Sequence, residues 1–522
     1  MDERNEPIFA EAATATHRPP LSRAVIVVAL ADVALHLLLS TRYGYFRDEL
    51  YYLACANHLD FGYVDHPPLS ILILWLQTAL VGTSLPALRL VPALAGGALV
   101  FMTGAFAREF AGGRWAQILA AVSVFVGPGM LGINGFYSMN AIEPLFFIGA
   151  AWIVVTIIKT GRERLWLWFG VLAGVGLQNK LSMAFLCFGI AVGVLLTENR
   201  KYLLSKWLWL GAAIAAAIYL PHVIWQVLNG FPTLEFIANA QATKNYHAAL
   251  PEFLAQQLLI MHPLTAPVWL AGLWYYFATG DGRQFRVLGW TFVAILAVFI
   301  LQGAKAYYLV PAYPMLFAPG AATIERWGRE RAWNWLAPAT VGVIAIAGAA
   351  VAPMALPILP VPMFMRYAAA LGHSEGLRME RGKVGALPQH FADRFGWPEQ
   401  AEAVARVYQS LSPHDRAVTA IYGQNYGEAG AIDFFGPRYG LPRATSGHNS
   451  YWLWGPGDLP ARNLIVIGGD RKDLDQLCTE ATVAAVVHCS LCMPFEDNLP
   501  IYLCRGLKLP VRQIWPRAKN YH

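Results

Sequence analysis

The chain has 522 residues, of which 56% are hydrophobic, 13% aromatic and only 14% charged, and its formal net charge at pH 7 is +6. Soluble domains carry about 25% charged residues, so a purely water-soluble enzyme is excluded, as are a disordered chain, a collagen-like fibre and a small disulfide scaffold. The surplus Lys and Arg sit in alternate loops between apolar runs, which reads as membrane orientation and not as nucleic-acid binding.

Residues 1–23 are polar, and Arg18 and Arg23 precede the first apolar run, 24–40, after which no small-residue cleavage pattern follows. This predicts a cytoplasmic N-terminal tail and a retained first helix. Further apolar segments lie at about 67–82, 88–107, 115–131, 139–158, 165–179, 181–197, 207–227, 258–278, 287–301, 306–323 and 333–354, twelve in all. They predict an α-helical polytopic membrane domain over 24–355. The basic loops 108–114, 159–164, 198–206, 281–286 and 325–331 are assigned to the cytoplasm. Loops 41–66, 132–140, 228–257 and 302–306 then face outward, together with 356–522. Twelve full crossings would return the C-terminal part to the cytoplasm, so about eleven to thirteen spans are expected, with one segment re-entrant, divided or misread. Segments 67–82 and 165–179 are the suspects, because about 15–16 residues rising ~1.5 Å each scarcely cross a ~30 Å core.

Residues 356–522 change in texture. Short β-rich runs at 417–422, 463–467, 484–488 and 501–504, with a helical stretch at 398–411, predict a small soluble α/β domain. Cys478, Cys489, Cys492 and Cys504 cluster there, which suggests one or two disulfides in an oxidising compartment. A lone C-x-x-C without a second ligand pair points away from structural zinc.

The first outward loop reads Tyr43-Gly-Tyr-Phe-Arg-Asp-Glu-Leu-Tyr-Tyr-Leu, then Phe61-Gly-Tyr-Val-Asp-His-Pro-Pro-Leu69. Arg47, Asp48, Glu49, Asp65 and His66 gather there beside aromatics, although the chain elsewhere avoids charge. Asp48 suits the free N–H groups opening a short helix, and Pro67-Pro68 the start of the next span. Asp48 also suits a general base that takes the proton of an acceptor hydroxyl. In the second outward loop Asn140 and Glu143 stand three apart, on one helical face. A carboxylate at that depth costs about 2.5–3.5 kcal/mol unless it meets a partner or cavity, so Glu143 is expected to point into the bundle; stabilisation by the helix dipole is the plainer reading.

Lys180 is a cation on the outward side, against the charge trend. It either snorkels to headgroups or captures an anionic lipid phosphate. Lys305 precedes Tyr307 and Tyr308, which are either interfacial belt aromatics or hydroxyl donors to phosphate. In the long loop 228–257, Glu235, Asn239 and Lys244 are candidates to contact sugar or acceptor, and fit solvated surface equally well.

Taken together, Arg47-Asp-Glu-Leu-Tyr-Tyr-Leu, Asp65-His-Pro-Pro-Leu, Ala141-Ile-Glu-Pro-Leu-Phe-Phe, the Lys180 segment and Lys305-Ala-Tyr-Tyr-Leu-Val-Pro-Ala-Tyr-Pro resemble the GT-C glycosyltransferases. The resemblance is to family-39-like bacterial enzymes, related to protein O-mannosyltransferases, the lipid A aminoarabinose transferase and rhizobial galacturonosyltransferases, and covers about residues 24–325. It implies a GT-C fold and inverting transfer of a sugar from a polyprenyl-phosphate donor to a glycolipid, wall glycan or protein, on the periplasmic side of a bacterial inner membrane. On the matching motifs Asp48 would be the catalytic base with Glu49 beside it, and Lys180, Lys305, Tyr307 and Tyr308 would bind donor phosphate. Glu143 would take the family's second acidic position, and the loops themselves offer Arg47, Asp65, His66, Asn140, Glu235 and Lys244 as further candidates to line the substrate site. Glu143 stands where the family more commonly has Asp. No cofactor beyond the lipid-linked donor is implied, a divalent metal is not indicated, and no nucleotide-binding glycine motif appears. A secondary transporter with membrane-embedded carboxylates, or a polymerase or ligase of lipid-linked glycans, is the alternative.

Overall fold

A computed structural model describes residues 18–244, 248–372, 385–457 and 461–522. All twelve apolar segments are helical. Among the described residues, five helices are long and apolar enough to cross a membrane: Leu85–Phe110, Met139–Thr160, Lys206–Leu228, Arg283–Leu301 and Leu336–Met354. Three bent pairs raise that number to as many as eight. The suspects Leu69–Val81 and Leu165–Asn179 are indeed short, at 13 and 15 residues. The sharp breaks, however, fall elsewhere. Arg114–Phe125 turns by 62° into Pro128–Asn134, and Leu250–Met261 turns by 90° into Pro263–Ala278. Both of these breaks end at a proline, which has no N–H to continue the ladder and is preorganised to open the next helix; the sharpest break, 110° between Met183–Leu195 and Glu198–Leu204, does not. The segment expected at 258–278 is therefore a divided one.

The helices are not equivalent. Two-thirds of the apolar windows of Leu85–Phe110 and Met139–Thr160 is buried, against 11% for Lys206–Leu228. The first two form the centre of the bundle. The third presents Trp209, Leu210, Leu220 and Leu228 outward, as a lipid-facing helix does.

The C-terminal part contains a five-stranded sheet: β1 (Thr419–Gly423), β2 (Ala444–Ser446), β3 (Asn463–Ile467), β4 (Cys478–Val487) and β5 (Leu499–Leu507), in the order β2-β1-β3-β5-β4. β1 runs parallel to β2 and β3, and β5 is antiparallel to β3 and β4. Four strands were legible in the sequence; β2 has three residues, too few for an alternating pattern. The four clustered cysteines pair as Cys478–Cys504, across β4 and β5, and Cys489–Cys492, in the loop after β4.

One feature of the packing governs the site. The helix Arg47–Ala56 of the first outward loop is buried from Glu49 to Ala56, and it shares one core with Trp397, Ile421, Ala429, Ile432 and Ile465 of the sheet domain. It lies against the helix Tyr426–Phe435, which approaches closely because Gly427 and Gly430 face it. A Cβ at Gly430 would stand 3.0 Å from the Leu50 carbonyl carbon, and one at Gly427 2.5 Å from Arg47 Cγ. The loop is thus built into the sheet domain.

Candidate active site

The adjacent acids of the first loop have opposite environments. Glu49 is fully buried, and both its oxygens are used. Oε1 accepts from Arg89 Nε at 2.9 Å and the Tyr137 N–H at 2.9 Å; Oε2 accepts from Arg89 Nη2 at 2.8 Å and the Phe46 N–H at 2.8 Å. Burial alone pushes the Glu49 carboxyl up, but the Arg89 guanidinium and the two N–H groups more than reverse this and hold it below its usual range. Arg89 also donates to the carbonyls of Ser40 and Gly44. One ion pair therefore joins the first loop, the head of the Leu85–Phe110 helix and the second loop. Glu49, expected beside the base, is a structural anchor with no carboxylate oxygen left for substrate.

Asp48 is a third exposed at its side chain. Its Oδ1 accepts from the Tyr426 hydroxyl at 2.9 Å and lies 3.8 Å from Arg47 Nε. Arg47 itself faces Asp393 at 3.6 Å and covers the Tyr426 ring at 5.4 Å, so this residue, expected to bind substrate, bridges to the sheet domain. One turn on, Tyr51 donates to Asp65 Oδ1 at 2.8 Å, and the Tyr52 ring stacks on His66 at 4.8 Å. Burial first, and the Asp65 charge second, push both hydroxyls well above their ordinary range, so both remain hydrogen-bond donors. His66 is buried; its Nδ1 donates to the Pro67 carbonyl at 3.0 Å, and Nε2 stands 4.0 Å from Asp65.

A second cluster forms around Lys180, the residue that ends the helix Leu165–Asn179. Its ammonium donates to Asn140 Oδ1 at 2.8 Å and Glu143 Oε2 at 2.7 Å, and lies 4.9 Å from the Tyr308 ring centre and 5.9 Å from that of Tyr307. Ser182 donates to the other oxygen of Glu143. Glu143 is nearly fully buried and paired, as its depth demands. Lys180 is thus a compensated cation. It retains one N–H and a polar, aromatic surround, and Lys305, half-buried, opens the short helix that carries Tyr307 and Tyr308. The two clusters meet where the Met139 N–H approaches the Tyr52 hydroxyl at 3.5 Å.

Two candidate side chains of the long loop 228–257 are engaged elsewhere. Glu235 pairs with Lys519 at 2.6 Å, and Asn239 Nδ2 donates to the Tyr521 carbonyl at 2.8 Å, so both strap the end of the chain. The Lys244 side chain lies outside the described residues. Arg89 and Tyr426 were missed by sequence reasoning. Arg89 left a signal, a lone cation entering an apolar run, whereas nothing near Tyr426 marks a contact with residue 48.

This arrangement is a GT-C fold, an apolar helical bundle with a sheet domain packed on its first interhelical loop. The crystal structure of ArnT from Cupriavidus metallidurans bound to undecaprenyl phosphate superposes with a TM-score of 0.59 at 15% identity, over 92% of this chain and 98% of that one. The apo form of the same protein gives 0.57 with the same coverage. The arabinofuranosyltransferase AftD from Mycobacteria gives 0.50 at 13% identity, over 94% of this chain but 40% of that one. The profile of the family described as dolichyl-phosphate-mannose-protein mannosyltransferase matches residues 65–225. No curated protein matches the sequence. The resemblance read from the motifs is that of a family-39-like GT-C protein, and the fold agrees with it.

Proposed function

We propose that the chain is a membrane glycosyltransferase that moves a sugar from a polyprenyl-phosphate donor to a hydroxyl of an envelope glycolipid, glycan or protein, with inversion, on the periplasmic face of the inner membrane. The observation that carries this reading is a part-exposed carboxylate, Asp48, in one cluster and the Lys180 ammonium among Asn140, Glu143, Tyr307 and Tyr308 in a second, the two in contact through Tyr52 and Met139. The similarity to a protein crystallised with undecaprenyl phosphate supports the donor class.

The chemistry follows from the groups present. Asp48 takes the acceptor proton as the acceptor oxygen attacks the anomeric carbon from the side opposite the phosphate; the bond from that carbon to the phosphate oxygen breaks, and polyprenyl phosphate leaves. Lys180, Lys305 and the tyrosine hydroxyls bind the departing charge, and a phosphate is already a fair leaving group. Asp48→Asn, assayed in membranes supplied with radiolabelled undecaprenyl-phosphate sugars, is expected to lower transfer by at least about a hundredfold. Unchanged transfer overturns the assignment of the base. Solute flux across sealed proteoliposomes without a covalent product overturns the enzyme reading in favour of a transporter.

A further inference from the structure

The sheet domain receives no role from sequence resemblance, yet its contact with the membrane domain is centred on the proposed base. Tyr426 is the first residue of the helix Tyr426–Phe435, whose start is fixed by a capping box: Asn425 accepts from the N–H groups of Gly427 and Glu428, and Glu428 accepts from that of Asn425. Gly427 and Gly430 seat that helix on Arg47–Ala56. The Tyr426 ring is held on three sides. It packs at 4.6 Å against Tyr51, at 4.6 Å against His448, and beneath the Arg47 guanidinium. His448 is fixed in turn, its Nδ1 accepting from the Tyr426 N–H at 3.3 Å and its Nε2 donating to the His522 carbonyl at 2.7 Å. The phenol therefore has one direction in which to point, and its hydroxyl meets Asp48 Oδ1 at 2.9 Å. Among the described residues Asp48 Oδ2 has no hydrogen-bond partner.

We propose that Tyr426 is a positioning residue for Asp48: by holding Oδ1 it leaves Oδ2 as the single oxygen that receives the acceptor proton, so the sheet domain completes the active site. This rests on the reading of Asp48 as the base. Without the phenol the carboxylate turns about its terminal bond and presents either oxygen to water. Among the described residues the other groups facing Asp48 are Arg47 on its own helix and the Tyr52 hydroxyl one turn on.

Two measurements on the full-length protein test this. In the first, the carboxylate stretch of Asp48 is read by infrared difference spectroscopy of the wild type against Asp48→Asn, which needs no substrate. Tyr426→Phe is expected to shift that band as the hydrogen bond to Oδ1 is lost, and an unmoved band overturns the proposal. In the second, kcat is measured with whichever undecaprenyl-phosphate sugar the wild type uses. Tyr426→Phe is expected to lower kcat about tenfold with the donor KM unchanged, and 3-fluorotyrosine at position 426, which restores a donating hydroxyl, to recover it. Tyr451→Phe removes a different hydroxyl of the same domain, bonded at 2.8 Å to Asp433, and is expected to leave kcat unchanged. An equal loss in Tyr451→Phe reduces Tyr426 to a packing residue and sinks the proposal. If Tyr426→Phe is silent while Asp48→Asn is dead, positioning fails and the base stands; if Asp48→Asn is active, the underlying reading fails.

Discussion

The proposed base Asp48 takes its fixed contact from Tyr426, 378 positions along the chain, while the cation Lys180 draws on Asn140 and Glu143, 40 and 37 positions away. The first centre thus exists only when the sheet domain is docked. The second closes within neighbouring membrane helices and the Tyr307–Tyr308 turn. The difference separates two tasks. On the proposed function, the phosphate-binding groups are ones that the bundle folds into place by itself, whereas the proposed base takes its contact from the sheet domain. The joint between the two is the buried Glu49–Arg89 pair, which holds both loops at once.

That joint gives the largest effect with which to break the comparison. Glu49→Gln leaves the Arg89 guanidinium, 2% exposed at its side chain, without its charge partner, and breaking a buried pair from one side costs about 3–5 kcal/mol. The expected outcome is poor insertion and a collapsed thermal transition in detergent, with activity lost at both centres. A Glu49→Gln protein of normal thermal stability that fails only in transfer would return Glu49 to the chemistry and make the anchor reading wrong.

A smaller effect separates charge from structure at the second centre. Lys180→Met strands Glu143 as an unpaired buried carboxylate and is expected to destabilise the fold by about 3 kcal/mol, the low end for a buried pair broken from one side, since Ser182 still bonds one oxygen. Lys180→Met with Glu143→Gln removes both charges and is expected to regain most of that stability. If Lys180 holds donor phosphate, the double variant remains inactive with a raised donor KM. Full activity in the double variant would leave the pair as packing alone.

How much of this could be read beforehand follows the same division. The apolar runs exposed the helices because hydrophobic length is a local property, and the depth of Glu143 exposed its need for a partner because an intramembrane carboxylate is costly wherever the chain goes. The three-residue clustering of Arg47, Asp48 and Glu49 marked the loop but not the roles within it. Neighbours on a helix point in directions about 100° apart, so one acid turns into Arg89 and the next toward Tyr426. Those partners lie in segments whose proximity no periodicity encodes. The prolines 128 and 263 did carry two of the three break points, while attention to segment length alone led to the shorter helices instead.

The smallest effect concerns the strap between the long outward loop and the end of the chain, where Glu235 meets Lys519 and Asn239 meets the Tyr521 carbonyl. Both partners of the ion pair are about a third exposed or more, so water screens the attraction and the pair is worth about 0–1 kcal/mol. Lys519→Ala and Glu235→Gln are therefore expected to shift the thermal midpoint little and by the same amount, with no additional loss in the double variant and no change in transfer kinetics. A sugar contact at Glu235 would break that equivalence: Glu235→Gln alone would raise KM, since Lys519 has no part in binding, and the loop would belong to the substrate site as the sequence first suggested. Equal, silent variants instead make the loop a second tie between the membrane and sheet domains, placed away from Asp48, so that Tyr426 is supported by the docking of the whole domain and not by one hydrogen bond.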